Sequence, residues 1–248
     1  MSGQPDVGLR APPARAARWR GRRIEAVLFD LDGTLLDTAA DIAAALNRAL
    51  GERAWPPIAP GEVRRMIGRG SPLLIERALA YQGRVLDEKA RGALLERFFH
   101  HYAALEESGQ FEARPYAGAV ECLRALHEAG LRTAVVTNKQ ARFALGLLAA
   151  LGLGGWVDRV VGGDSCERRK PDPQPLLHAC EQLGVAPARA LMVGDSGNDV
   201  QAAHAALMPV LCVPYGYNEG QDPRQLPCDA FIETLGELPG LLLAGDGA

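Results

Sequence analysis

The sequence predicts an α/β protein: a Rossmann-like parallel sheet core with helices on both faces, plus an all-helical cap inserted after the first strand. Three observations predict it. Short apolar runs recur at 24–29, 132–136, 157–161, 190–194, 210–213 and, with less apolar character, 230–232. Segments with helical spacing lie between most of them, and strands alternating with helices argue for a parallel sheet. One interval, from Thr38 to Arg132, runs for more than ninety residues without such a strand, whereas a βαβ unit needs only about thirty.

Taken in order, residues 1–23 hold six arginines (Arg10, Arg15, Arg18, Arg20, Arg22, Arg23), one acid and Pro12-Pro13. They read as a disordered basic tail, with a weak anion-binding arm as the alternative. The first strand follows and ends in a glycine turn. The long interval reads as helices at 38–50, 60–67, 72–82, 87–107 and 117–129. The last, introduced by Pro115-Tyr116-Ala117-Gly118, returns the chain to the sheet. The others have no strand to flank, so 38–113 is expected to form a helical cap, and 24–37 with 114–248 the α/β core. A cap inserted there sits above the strand ends, where it excludes water from whatever binds. Further on, Phe143, Leu147, Leu148 and Leu151 mark a helix over 139–151. Leu176, Leu177, Cys180 and Leu183 mark another over 173–184, which Pro173 suits as a start.

With 248 residues the chain can bury one large core or two smaller ones. A formal charge of −3 gives no reason to expect nucleic acid or an anionic membrane as partner. No apolar run approaches bilayer length. The five cysteines are scattered and contain no Cys-x-x-Cys pair, which argues against a disulfide framework or structural zinc and for a cytoplasmic location. His100 and His101 would face different directions on a helix, and the tryptophans and tyrosines do not interleave with basic residues as a nucleic-acid surface would require.

The chemistry concentrates at chain turns. Phe29-Asp30-Leu31-Asp32-Gly33-Thr34 places two acids at the end of a buried strand, the end at which open α/β sheets bind ligands. Two carboxylates there repel each other and resist desolvation, so they need a cation or a shared proton. Mg2+ is the usual partner where phosphate is handled. Met192-Val193-Gly194-Asp195-Ser196-Gly197-Asn198-Asp199 repeats the pattern, with an Asx turn as the plainer reading. Thr137-Asn138 offers a hydroxyl and backbone N–H groups at a helix start, suited to an anion or to simple capping. Lys170-Pro171 offers one ammonium, a point charge suited to phosphate. Gly68-Arg69-Gly70 reads either as a loop whose guanidinium clamps a second anion or as a helix-to-helix turn with a solvated arginine.

In this order, from about residue 24 to the C-terminus, the four motifs resemble those of the phosphatases of the haloacid dehalogenase superfamily. The resemblance implies Asp30 as the nucleophile and Asp32 as general acid and base. It implies Mg2+ held by Asp30, the backbone carbonyl of Asp32, and Asp195, with Asn198 and Asp199 around it. Thr137, the Asn138 amide and Lys170 would bind the phosphate. Dehalogenases of the superfamily lack an acid two residues after the nucleophile, so Asp32 argues against dehalogenation. Ile67-Gly68-Arg69-Gly70, Glu76-Arg77-Ala78-Leu79 and Val213-Pro214-Tyr215-Gly216-Tyr217-Asn218 are similar to segments of bacterial phosphoglycolate phosphatases. That similarity implies hydrolysis of 2-phosphoglycolate, with Arg69, flanked by Gly68 and Gly70, on the substrate carboxylate. The partner expected is a small phosphorylated metabolite, acted on by a monomer or homodimer. A phosphosugar phosphatase or phosphomutase, and a phosphate-binding module without turnover, are the competing expectations.

Overall fold

The computed structural model describes residues 17–244. It opens with a hairpin: β1 (Ala17–Trp19) pairs antiparallel with β2 (Arg22–Ile24), Ala17 opposite Ile24. This corrects the expectation of a disordered tail as far as residue 23. Ala17 and Ile24 are fully buried in the main core and Trp19 packs against it, while the arginines between them are exposed, so apolar anchors hold a strongly basic turn. Residues 1–16 of the expected tail lie outside the described residues.

The chain then runs β3 (Ala26–Phe29), β4 (Leu36–Asp37), α1 (Ala39–Gly51), α2 (Pro60–Arg64), α3 (Ser71–Tyr81), α4 (Glu88–Glu107), β5 (Arg114–Pro115), α5 (Ala119–Glu128), β6 (Arg132–Val136) and α6 (Ala141–Ala150). It continues with β7 (Arg159–Val161), α7 (Gln174–Leu183), β8 (Ala190–Gly194), α8 (Gly197–Ala205), β9 (Val210–Cys212), β10 (Ala230–Phe231) and α9 (Leu238–Leu243).

Six strands form one parallel sheet in the order β10-β9-β8-β3-β6-β7. Strand side chains alternate between faces, and the sequence fills both. Val27, Phe29, Val135, Leu191 and Val193 enter one apolar cluster, and Ala26, Leu28, Ala134, Val136, Ala190 and Met192 the other. A sheet buried on both faces explains why these strands read as unbroken apolar runs. β3 pairs with β6 on one side and β8 on the other. Chain order therefore reverses about β3, and the crevice at a parallel sheet's C-terminal edge opens at such a switch point.

Between the sheet's first strand and its crossover helix α5, α1 to α4 pack around their own apolar cluster, which includes Leu46, Ile75, Leu94 and Phe98. That cluster extends to Phe143 of α6 and to Tyr217, so the helical unit seats on the sheet domain through apolar contact. The two connections run antiparallel as β4 and β5, Leu36 opposite Pro115 and Asp37 opposite Arg114. The buried Asp41 carboxylate joins them to α1 by accepting from the backbone N–H groups of Glu112 (2.7 Å) and Ala113 (2.9 Å). Among the described residues, no helix is long and apolar enough to cross a membrane.

Candidate active site

The ends of β3, β6 and β8 bring Asp30, Thr137 and Asp195 to the crevice, and the turn before α7 adds Lys170. The carboxylates of Asp30, Asp195 and Asp199 offer ligand atoms within 4.8 Å of one another. Lys170 is 3% exposed and its ammonium lies 2.9 Å from Asp30 and 2.7 Å from Asp199. Burial works against its charge, but Asp199 and Asp30 outweigh that and hold the pKa above the ordinary lysine value.

The three acids are not equivalent. Asp199 is saturated: one oxygen receives Lys170, and the other receives the Ser196 hydroxyl (2.8 Å) and N–H (3.1 Å) and the Asp195 N–H (3.3 Å). The Ser196 bonds form a capping box that starts α8. Asp199 thus braces the turn, and its other oxygen is engaged by Lys170. Asp195 is anchored by the Thr34 hydroxyl (3.0 Å) and the Tyr217 N–H (2.6 Å). Its neighbours are glycines because nothing larger fits: a Cβ on Gly33, whose φ is +94°, would lie 2.5 Å from the Asp195 carboxylate, and one on Gly216 would overlap it. Asp30 Oδ1 is buried, and the one close cation it meets is the Lys170 ammonium at 2.9 Å.

Such a site is frustrated without a cation. Burial, opposed by Lys170, pushes the Asp30 pKa up to about 8. Burial together with Asp199 pushes Asp195 up to about 6. Four carboxylates (Asp30, Asp32, Asp195, Asp199) face two ammonium groups (Lys139, Lys170), an excess of two negative charges that one divalent cation would cancel. Hard oxygen donors at a buried carboxylate fit such an ion.

Asp32 is directed elsewhere. Its carboxylate accepts from the Thr38 hydroxyl (2.6 Å) and meets the Lys139 ammonium at 3.1 and 3.3 Å. Its side chain therefore stands apart from the acidic trio, which leaves the backbone carbonyl as its means of reaching a metal. Thr38 in turn donates its N–H to the Tyr217 hydroxyl (2.8 Å), which donates to Asp37 (2.9 Å). Thr137 is buried, its hydroxyl accepting from the Lys139 N–H (3.2 Å). The Asn138 side-chain amide donates to the carbonyls of Gly68 and Lys170, both at 3.0 Å, and Asn198 approaches the same Gly68 carbonyl at 3.4 Å. Motif residues of the sheet domain thus hold the loop of the helical unit directly.

A cavity of about 50 Å³ joins these groups, its walls including Asp30, Asp32, Thr137, Gly68, Gly70 and Lys139. Arg69 is outside it. Its guanidinium pairs with Glu219 at 3.0 Å and remains half exposed, and Glu219 also receives Arg77 at 3.1 Å. Glycines on either side leave the loop free to turn the arginine either way, and the carboxylate of Glu219 draws it outward. Sequence reasoning missed Lys139 and Tyr102, which also line the cavity, and quoted Tyr217 only within a segment of resemblance, without a role. Lys139 directly follows Thr137-Asn138 and was legible by position. Tyr102 shares its helical spacing with Phe98 and Leu105, an ordinary core stripe.

The comparisons agree with this geometry. The family model for haloacid dehalogenase-like hydrolases matches residues 24–206. The phosphoglycolate phosphatase of Nitrosospira multiformis is 46% identical over 220 residues, covering 88% of this chain and 96% of that protein. The phosphoglycolate phosphatase of Thiobacillus denitrificans is 42% identical, covering 86% and 93%. A crystal structure described as a predicted phosphoglycolate phosphatase from Haemophilus somnus superposes with a TM-score of 0.81 at 31% identity, covering 88% and 97%. The switch-point acids, the lysine that bridges them and the matched sequence all lead to one assignment: the chain belongs to the haloacid dehalogenase-like hydrolase family.

Proposed function

We propose that the protein is a Mg2+-dependent phosphomonoesterase that hydrolyses 2-phosphoglycolate to glycolate and phosphate in the cytoplasm. The observation that carries the reading is Asp30. It is a largely covered carboxylate at the switch point, with the Lys170 ammonium 2.9 Å from its Oδ1 and a second acid within reach of the same cation. Relatives at 46% and 42% identity bear the name phosphoglycolate phosphatase, which supports the substrate.

An Asp30 carboxylate oxygen attacks phosphorus, the ester P–O bond breaks, and the electron pair leaves on the glycolate oxygen. Asp32 gives that oxygen a proton, then takes one from the water that cleaves the aspartyl-phosphate and returns Asp30 as a carboxylate. Thr34 and Tyr217 hold Asp195, and Thr38 with Lys139 holds Asp32, so both carboxylates keep fixed directions through two steps. Lys170 and the Thr137 hydroxyl bind phosphate oxygens. Asp30, Asp195 and the Asp32 carbonyl would hold Mg2+, whose charge would let one anion approach another. The helices inserted after the first sheet strand contribute Ile42, Ile67, Leu74 and Phe98 to the cavity wall.

Phosphate release from 2-phosphoglycolate, hexose phosphates, amino-sugar phosphates and a nucleotide, with Mg2+ and with EDTA, tests the reading. Metal-dependent release dominated by 2-phosphoglycolate is expected. Dominance of a sugar phosphate would overturn the substrate, and silence on every ester would overturn the activity.

A further inference from the structure

Arg69, the cation expected to recognise the substrate carboxylate, faces Glu219 rather than the cavity. The cavity nevertheless carries an anion site of its own. Tyr102, on α4, is 2% exposed, lines the cavity, and its hydroxyl has no hydrogen-bond partner. The nearest cation, Lys139, sits over the ring face at 4.5 Å from its centroid, close enough to stabilise charge at the hydroxyl without satisfying it geometrically. An unpaired buried hydroxyl costs about 1–3 kcal/mol, and little in the surrounding wall of Ile42, Leu74, Phe98 and Phe143 relieves it.

Beside it α3 begins. Ser71 is its first residue and lines the cavity, Gly70 precedes it at φ +83°, and no side chain caps the helix. Pro72 has no N–H, so the first turn of this eleven-residue helix presents the uncapped Ser71 N–H and the positive end of its dipole to the cavity. Lys139 stands between Tyr102 and Asp32, 9% exposed.

We propose that Tyr102, the uncapped N-terminus of α3 and Lys139 form the subsite that holds the carboxylate of a small phosphorylated acid. The Tyr102 hydroxyl and the Ser71 N–H donate to the carboxylate, Lys139 balances its charge, and the apolar wall leaves no room for a longer substituent. The inference rests on the reading of the site as one for 2-phosphoglycolate and replaces Arg69 in it.

Tyr102→Phe removes the hydroxyl and keeps the ring, and a proline is at home in the first helical position, so Ser71→Pro removes one N–H with α3 intact. Steady-state kinetics would compare 2-phosphoglycolate with ethyl phosphate, the same ester without a carboxylate, alongside inhibition by glycolate. Each substitution should raise KM for 2-phosphoglycolate and weaken glycolate inhibition about tenfold, the loss of one hydrogen bond to a charged group. Turnover of ethyl phosphate should stay within about twofold, and the thermal midpoint of Tyr102→Phe should not fall. If wild-type protein prefers 2-phosphoglycolate and both variants keep that preference, the subsite is wrong while the substrate stands. If the wild type does not discriminate between the two esters, the substrate reading fails and the subsite with it.

Discussion

Lys170 is the residue whose removal the structure prices most clearly. It is 3% exposed and bridges two carboxylates, Asp30 at 2.9 Å and Asp199 at 2.7 Å, the second fully buried. Lys170→Met keeps the aliphatic stem and deletes the charge, leaving the fully buried Asp199 without its cation. Breaking a buried ion pair from one side costs about 3–5 kcal/mol. For a chain of this size each kcal/mol moves the thermal midpoint by about 2–4 °C, so a fall of roughly 10 °C follows. The assay is thermal unfolding in EDTA at pH 7. Lys170→Met/Asp199→Asn should be more stable than the sum of the two single changes, because the second substitution removes a charge that the first left unpaired. A midpoint within about 2 °C of wild type, or a double variant that is merely additive, would refute the view that Lys170 is held there by these two acids.

Asp41→Asn replaces one of the two acceptors for the Glu112 and Ala113 N–H groups with a donor, and should cost about 1–3 kcal/mol in urea unfolding. In EDTA the protein should lose stability as pH rises from about 4 to about 8. Asp30 and Asp195 carry pKa values raised to about 8 and about 6, so the folded state holds protons that the unfolded state has released. Saturating Mg2+ should flatten that slope, and calorimetry in buffers of different ionisation enthalpy should record proton release on Mg2+ binding near pH 6. Arg69→Ala should leave KM for 2-phosphoglycolate within about twofold, because its guanidinium serves Glu219 at the seam between cap and core; a tenfold rise would return it to the substrate.

Much of this was legible because the physics is local. Fully buried parallel strands cannot avoid apolar runs, and β3, β6 and β8 lie where such runs are. The helices α1 and α3 to α7 follow from apolar spacing within a residue or two of their ends. The acids at strand ends point to a cation or a shared proton because neighbouring buried carboxylates repel each other. The remainder depends on partners distant in sequence. The β4–β5 ladder is two residues per strand, too short for any periodicity, and exists because Leu36 meets Pro115 across the whole cap. The hairpin at 17–24 rests on Ala17, Trp19 and Ile24 in a run of arginines. The direction of Arg69 is decided by Glu219, 150 positions away. Tyr102 reads as core by spacing, and only the missing partner for its hydroxyl distinguishes it.

The central claim is that Asp30 carries the phosphoryl group, and chemical trapping tests it most directly. Protein mixed with 2-phosphoglycolate labelled in its phosphate, with Mg2+, would be quenched in acid within one turnover and digested. The account predicts label on the peptide containing Asp30, released by hydroxylamine as an acyl phosphate, and absent from Asp30→Asn together with turnover. Hydrolysis at full rate by Asp30→Asn, or steady turnover with no label on the chain at any quench time, would contradict it.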